Sequence, residues 1–365
     1  ITVLAFLKYL FYTSGNKLNQ NRKFHLTFRY IGSKARLIDK LDEYIGVPSN
    51  KNGRFVDAFC GTGVVANKAA EYVWPIWVND HLISAGIISS ARVISGEDAK
   101  FSQLEGYSNA INLLNNLLPI EGFIWKEYSP ASIRFAGIER RYFLEDNAGR
   151  IDAIRQQIQS WSLGNLINDV EKRLLIADLL SATNRIANIA GTYGCFLSTW
   201  TNQALESLVL TPRNLFPINI PVKVTSENVV NLDVNPNDVV YLDPPYTKRQ
   251  YASYYHIIET IAIGDSPVVE GVSGLRPWRL KASDFCYRKK ALPALVALVS
   301  KLKAKRILLS YSNAGHIPID ELITSIKPLG TVTTFELKDV GRYRPNTTAS
   351  NNRASVKEYL IVINK

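Results

Sequence analysis

The run Asp238-Val239-Val240-Tyr241-Leu242 leads straight into Asp243-Pro244-Pro245-Tyr246, and this juncture constrains the fold more than any other stretch of the chain. The apolar residues read as a buried strand. Two successive prolines cannot continue a hydrogen-bonded ladder or lie in a helix interior, so the strand must stop in a stiff loop. That loop presents a carboxylate, backbone carbonyls and an aromatic ring in a fixed order. A plain strand-ending turn would contain the same letters. A chemical reading is also open. The exocyclic amine of a nucleobase is a poor nucleophile, because its lone pair is spread into the ring. If Asp243 and the Pro244 carbonyl accepted its two N–H groups, the lone pair would be localised, while Tyr246 stacked on the base.

Upstream, Phe55-Val56-Asp57-Ala58-Phe59-Cys60-Gly61-Thr62-Gly63 starts as a short apolar strand and ends in a glycine turn. Val64 to Ala70 then reads as a helix start. Glycines at such a turn allow close approach of backbone to a ligand and tight packing of the helix on the strand. The pattern is Asp-x-Phe-x-Gly-x-Gly, which differs from the dinucleotide fingerprint, and any tight strand-to-helix turn could produce it. Next, Pro75-Ile76-Trp77-Val78 reads as a second strand, followed by Asn79-Asp80. An acid there suits ribose hydroxyls in an open α/β sheet, or caps the following helix. Before both motifs, Arg29 to Lys34 leads into Leu37-Ile38-x-x-Leu41, with Ser33 as a candidate N-cap.

The order of these elements predicts an α/β domain split by an insertion. Residues 1–96 hold its first part, around the glycine turn. Residues 225–365 hold the rest, with strands at Val239–Leu242, Arg306–Ser310 and Tyr359–Ile363 and an amphipathic helix at Leu292–Leu302. Residues 97–224 read as mainly helical. From Asp146 to Trp161, Ile151, Ile154, Ile158 and Trp161 share one helical face. A second helix runs from Val170 to Ala190, stopped by Gly191. This middle segment carries Arg134, Arg140, Arg141, Arg150 and Arg155, which either meet a polyanion or form a solvated face.

Lys and Arg number 43 against 32 Asp and Glu, a net charge of +11 that makes a polyanionic partner plausible, although many unrelated proteins are as basic. No stretch approaches the length of a membrane span, so none is expected. Ile1 to Tyr12 is apolar but lacks a basic start and a small-residue cleavage site; it reads as a packed helix or strand. Cys60, Cys195 and Cys286 are too scattered for a zinc site or disulfide framework. They read as buried small hydrophobes in a reducing compartment, which predicts a cytoplasmic location. None follows a proline, so the Pro-Cys nucleophile usual in cytosine-C5 methylation is not visible.

Taken together, Tyr30-Ile31-Gly32-Ser33-Lys34, Asp57-x-Phe59-x-Gly61-x-Gly63, Asn79-Asp80 and Asp243-Pro244-Pro245-Tyr246, in this order, resemble the D12 class of adenine-N6 DNA methyltransferases. Further matching pieces are Gly194-Cys195-Phe196-Leu197, Arg249-Gln250-Tyr251, Tyr255-His256, Glu259, Gly274-Leu275-Arg276 and Ser310-Tyr311-Ser312-Asn313. The stretch from Arg249 to Arg276 looks most like a branch of the class found in restriction–modification systems. The resemblance implies a doubly wound, mostly parallel Rossmann-like sheet in a bacterial or archaeal enzyme. The helical insertion would be its target-recognition domain. S-Adenosylmethionine is the implied cofactor, and double-stranded DNA with a flipped adenine the implied substrate. A cognate restriction endonuclease is a further implied partner. Transfer to the amine would be direct, without a metal or a covalent intermediate. Tyr30 and Lys34 would flank the cofactor's methionine portion. Asp57, Phe59, Gly61 and Gly63 would line its amino-acid and sulfonium region, and Asp80 its ribose. Asp243 borders the cofactor and, with Pro244 and Tyr246, would hold the adenine. Arg140, Arg141, Arg249 and Arg276 are the candidate DNA contacts. The class also has an acid near the cofactor's adenine ring, for which Asp233 and Asn228 are both candidates. Cytosine-N4 relatives usually carry Ser at Asp243, and glutamine methylases Asn. An RNA or cytosine-N4 amino methylase, or an inactive nucleic-acid-binding subunit, remain the alternatives.

Overall fold

A computed structural model of the protein describes residues 28–49, 52–337 and 356–365. The apolar segment Ile1–Tyr12 lies outside them.

Seven strands form one sheet in the order β3-β2-β1-β4-β5-β7-β6. They are β1 (Phe55–Asp57), β2 (Ile76–Asn79), β3 (Val222–Thr225), β4 (Val239–Leu242), β5 (Arg306–Ser312), β6 (Thr331–Leu337) and β7 (Glu358–Asn364). The first five are parallel to one another, and β7 runs antiparallel between β5 and β6. Central strands of such a sheet are buried on both faces, which is why β4 reads as an unbroken apolar run and β1 is apolar up to Asp57. Alternate residues then enter different layers. Val239 and Tyr241 join one core cluster, and Val240 and Leu242 the other. Arg54 closes the start of the β1–β4 pair, its guanidinium reaching both Asp238 oxygens at 3.1 and 2.6 Å.

Helices cover both faces. α1 (Ile38–Ile45), α2 (Val64–Glu71) and α3 (Ile83–Ser90) lie in one layer, with α4 (Tyr107–Asn115), α5 (Phe123–Tyr128), α6 (Ile133–Ala136), α7 (Glu145–Leu163) and α8 (Asp169–Ile186) following in the chain. After β4 come α9 (Tyr251–Tyr254), α10 (His256–Ile263), α11 (Arg288–Lys301) and α12 (Ile319–Ile326). The buried residues of α11 and α12, including Leu295, Leu298, Leu322 and Ile326, form the second layer. The fold is thus the doubly wound α/β architecture the sequence predicts.

Several elements differ from expectation. Ser33 makes no side-chain cap, and its hydroxyl lies 3.4 Å from that of Thr62. α8 ends at Ile186 rather than Ala190. Arg29 terminates it, its guanidinium donating to the carbonyls of Asn184, Arg185, Ala187 and Ile189. α11 starts four residues before Leu292 and continues through Pro293. Pro293 lies in its second turn, where its missing N–H removes one intrahelical hydrogen bond. Residues between α3 and β3 are mainly helical, and α7 buries Ile151, Ile154, Ile158 and Trp161 as expected. Their path leaves and rejoins the sheet domain at one place, where Phe216 N donates to Ile94 O at 2.7 Å. Val222 to Thr225, at the end of the expected insertion, pairs with β2 as an outer strand.

Candidate active site

In an open α/β sheet, ligands bind beyond the carboxyl ends of the strands where the strand order reverses. Here that point lies between β1 and β4. The loops after both strands open there onto a cavity of about 270 Å³. Tyr30, Lys34, Asp57, Phe59, Gly61, Asp80, Asp243, Pro244 and Tyr246 all line it.

Gly63, also expected there, does not line the cavity. Its φ is +74°, and a Cβ would lie 2.4 Å from Ser89 Oγ and 2.5 Å from Ser89 Cα. Gly63 therefore lets α2 pack against α3. Gly61 has a different role: its φ is +48° and a Cβ would come within 3.1 Å of the Tyr30 ring. That ring stacks on Tyr255, with centroids 4.4 Å apart and planes at 18°. Two further bonds pin the Tyr30 loop from α9 and its end: Ile31 N donates to Tyr255 Oη at 2.7 Å, and Tyr251 Oη donates to Ile31 O at 3.1 Å.

Asp80 accepts from Gly61 N at 3.1 Å and Leu82 N at 3.0 Å, so it braces the glycine turn. It does not cap α3. That role belongs to Glu259, which accepts from Ile83 N at 3.0 Å and Ser84 N at 2.9 Å and pairs with Lys281 at 2.8 Å. Burial pushes the Asp80 carboxyl up to about 6, against the pull of its two backbone bonds.

Lys34, expected to flank the cofactor's methionine portion, lines the cavity beside the Asp243 loop. Its side chain is buried, with Nζ 2.9 Å from Asp243 Oδ1, 3.8 Å from Glu358 Oε2 and 5.6 Å from the Tyr246 ring centroid. Burial opposes the charged lysine, but Asp243 and its neighbours hold its pKa above the ordinary value. Burial also raises Asp243, with Lys34 pulling it back. These directions conflict, since one favours a charged pair and the other a neutral acid. At 2.9 Å the ammonium–carboxylate form suits the geometry.

Sequence reasoning missed Glu358. It opens β7 and accepts from Tyr246 Oη at 3.3 Å, while Oε2 makes no hydrogen bond. Burial raises its carboxyl and Lys34 opposes the shift. Its one sequence signal is a charge at the end of an apolar strand, as at Asp243.

The cavity walls fit a cationic cofactor. Asp57 is buried, and its Oδ1 has no hydrogen-bond partner. Burial and then the nearby Asp243 charge raise its carboxyl. An ammonium group would satisfy that oxygen, and a sulfonium would relieve the crowding of Asp57, Asp80 and Asp243. Asn228 and Glu227 also line the cavity. Asp233, the other candidate for the adenine-ring acid, is 83% exposed, is paired with Lys303, and does not line it.

The candidate DNA contacts separate. Arg249 is exposed, on the loop that continues from Tyr246. Arg141 is half-exposed, bonded to Glu139 at 2.7 Å and Ser198 O at 2.6 Å. Arg140 is corrected to a structural residue: it is 3% exposed and bonds Glu127 and the carbonyls of Gly271 and Val272. Arg276 is likewise held, in a two-pronged pair with Asp265 at 3.1 and 2.8 Å. The cysteines also divide, since Cys60 and Cys286 are buried and Cys195 is exposed.

Comparison with known proteins finds methyltransferases. The chain is 33% identical over 345 residues to the type II methyltransferase M.FokI of Planomicrobium okeanokoites, covering 92% of this chain and 52% of that protein. It is 30% identical to the modification methylase StsI of Streptococcus sanguinis, with 92% and 52% covered. It thus spans about half the length of these two relatives. It is also 30% identical to the type II methyltransferase M.NlaIII of Neisseria lactamica, covering 92% of this chain and 99% of that protein. The family profile matches residues 30–325, an interval that contains the glycine turn, Asp80 and the Asp243–Tyr246 loop, and on that match the chain belongs to the D12 class of N6 adenine-specific DNA methyltransferases.

Proposed function

We propose that the protein transfers a methyl group from S-adenosylmethionine to N6 of an adenine flipped out of double-stranded DNA, as the modification enzyme of a restriction–modification system. The observation that carries this reading is the meeting of Asp57, Asp80 and the Asp243–Tyr246 loop in one cavity at the strand-order reversal. The cofactor supplies an activated methyl on a sulfonium when bound. Asp57 Oδ1 would accept from its ammonium, Asp80 from its ribose hydroxyls, and the Tyr30–Lys34 and Gly61 backbone would hold its methionine end. Asp243 and the Pro244 carbonyl accept hydrogen bonds from the two amine N–H groups of the adenine, and the amine releases one proton to solvent as it gains the methyl. Lys34 keeps Asp243 ionised, so that it can accept. Tyr246 offers its ring to the base. Rate comes from in-line positioning and from polarisation of the amine. The helical segment 97–224 reads the target sequence, and a cognate endonuclease cuts the same sequence when it is unmodified.

The test gives purified protein S-adenosylmethionine and unmethylated plasmid DNA, followed by sequencing sensitive to modified adenine. Methylation at one short sequence is expected, and its loss in Asp243→Asn with cofactor binding kept within about tenfold. Methylated cytosine, or an equally active Asp243→Asn variant, would overturn the reading.

A further inference from the structure

Leu280 is 97% exposed. It is the middle residue of a single turn, Arg279–Lys281, between two cations. A lone exposed leucine is ordinary on a protein surface. This one is held at an unusual place. Lys281, Ala282 and Ser283, which follow it, line the cavity mouth. The turn is fastened on both sides. Lys281 Nζ lies 2.8 Å from Glu259 Oε1, and its N–H donates to Trp278 O at 2.9 Å. Ser283 N donates to Gln250 Oε1 at 2.9 Å, and Gln250 Nε2 returns a bond to Ser283 O at 3.2 Å. Gln250 follows Arg249 on the loop that continues from Tyr246, so this loop is hydrogen-bonded to the segment that carries Leu280. An apolar tip is thus fixed at the rim of a cavity proposed to hold an extruded base, with exposed Arg249 and Arg279 beside it.

We propose that Leu280 is a wedge that enters the duplex where the adenine leaves it and fills the vacated stack. Proteins that open or kink DNA insert apolar side chains between base steps, and extrusion of a paired base has an unstacking and unpairing cost that such a residue offsets. Arg249 and Arg279 contact the phosphates on either side of the opened step. Leu280 is therefore a positioning residue, which touches the duplex and not the reacting amine. The inference rests on the methyltransferase reading above.

The experiment compares the parent with Leu280→Ala and Leu280→Met on two duplexes carrying the methylated sequence identified for the parent. In one the target adenine is paired with thymine; in the other it faces an abasic site. Leu280→Ala is expected to lower kcat/KM on the paired duplex about tenfold or more, to recover most of that loss on the abasic duplex, and to bind S-adenosylmethionine normally. Leu280→Met should act like the parent on both. Parental activity of Leu280→Ala on paired DNA, or an equal loss on both duplexes, overturns the wedge while leaving the methyltransferase reading intact. No methyl transfer by the parent overturns both.

Discussion

Lys34 Nζ stands 2.9 Å from Asp243 Oδ1, so a residue 209 positions upstream holds the charge of the acid proposed to face the target amine. Lys34→Met should remove the main influence opposing the burial-driven rise of Asp243. The acid would then be neutral over a wider range and could not accept an amine proton. The acid limb of the kcat–pH profile should move upward by about one to three pH units. Methionine fills the space of the lysine stem, so the fold should survive, with a loss of about 3 kcal/mol from breaking a buried pair. An unmoved acid limb in a folded variant would mean that Lys34 serves packing alone.

Asp80 gives a second pH dependence. Its folded-state pKa, about 6, exceeds the ordinary 3.8. Above about 6 the side chain is a carboxylate, the form that would accept the ribose hydroxyls in the proposed role. As pH falls through 6 it protonates, and S-adenosylmethionine affinity should fall. For the cofactor-free protein the sign is opposite: a raised acid lowers stability as pH rises from 3.8 to about 6, because the unfolded chain ionises first. Calorimetry across this range should find the affinity step in the parent and not in Asp80→Asn, which should bind weakly at every pH. A parent without the step would refute the ribose assignment.

The arginines divide by burial, which yields a paired prediction. Arg140→Ala should destabilise the protein by about 3–5 kcal/mol, since it strands Glu127 and the carbonyls of Gly271 and Val272. Arg249→Ala should leave the denaturant midpoint unchanged. It should instead weaken DNA binding and reduce the slope of log affinity against log salt by about one. Chemical denaturation and salt-titrated binding of both variants measure this. A reduced midpoint for Arg249→Ala would place that residue with the structural group.

The difference between these arginines explains what was legible in the chain. β1 and β4 could be read because buried parallel strands are continuous apolar runs, here stopped by glycine and proline loops. Once those ends were located, the reversal of strand order put Asp57 and Asp243 in one cavity. Exposure is another matter. Nothing near Arg140 in sequence reveals that Glu127 and the loop at Gly271 close over it, and nothing near Arg249 reveals that it stays open. Gly63 was misread for a related reason. A glycine that admits a ligand and one that admits a neighbouring helix carry the same letter, and only the position of Ser89 separates them. β3 and β6 carry partly exposed residues at the sheet's edges, so their apolar signal is weak. Glu358 enters through the antiparallel pairing of β7 with β5, a contact 112 positions from Tyr246 that no local pattern encodes.

Tyr246 is expected to work through its ring. The hydroxyl is bonded to Glu358 at 3.3 Å, a long contact for an O–H donor. The ring has two fixed neighbours, the edge-to-face Tyr311 at 5.6 Å and Lys34 at 5.6 Å, and prolines 244 and 245 stiffen the backbone before it. A flipped adenine has lost its stacking partners, and an aromatic face replaces about 1–3 kcal/mol of that stacking. Tyr246→Phe keeps the ring and these neighbours and should keep most activity. Tyr246→Ala should lose about tenfold or more in kcat/KM with the loop intact, because the prolines set its backbone. Glu358→Gln supplies the complementary measurement: if the hydroxyl only anchors the ring, it should resemble Tyr246→Phe. Steady-state kinetics of all three on a substrate duplex decide the matter. If Phe is as damaging as Ala, the hydroxyl takes part in the reaction and the stacking account fails.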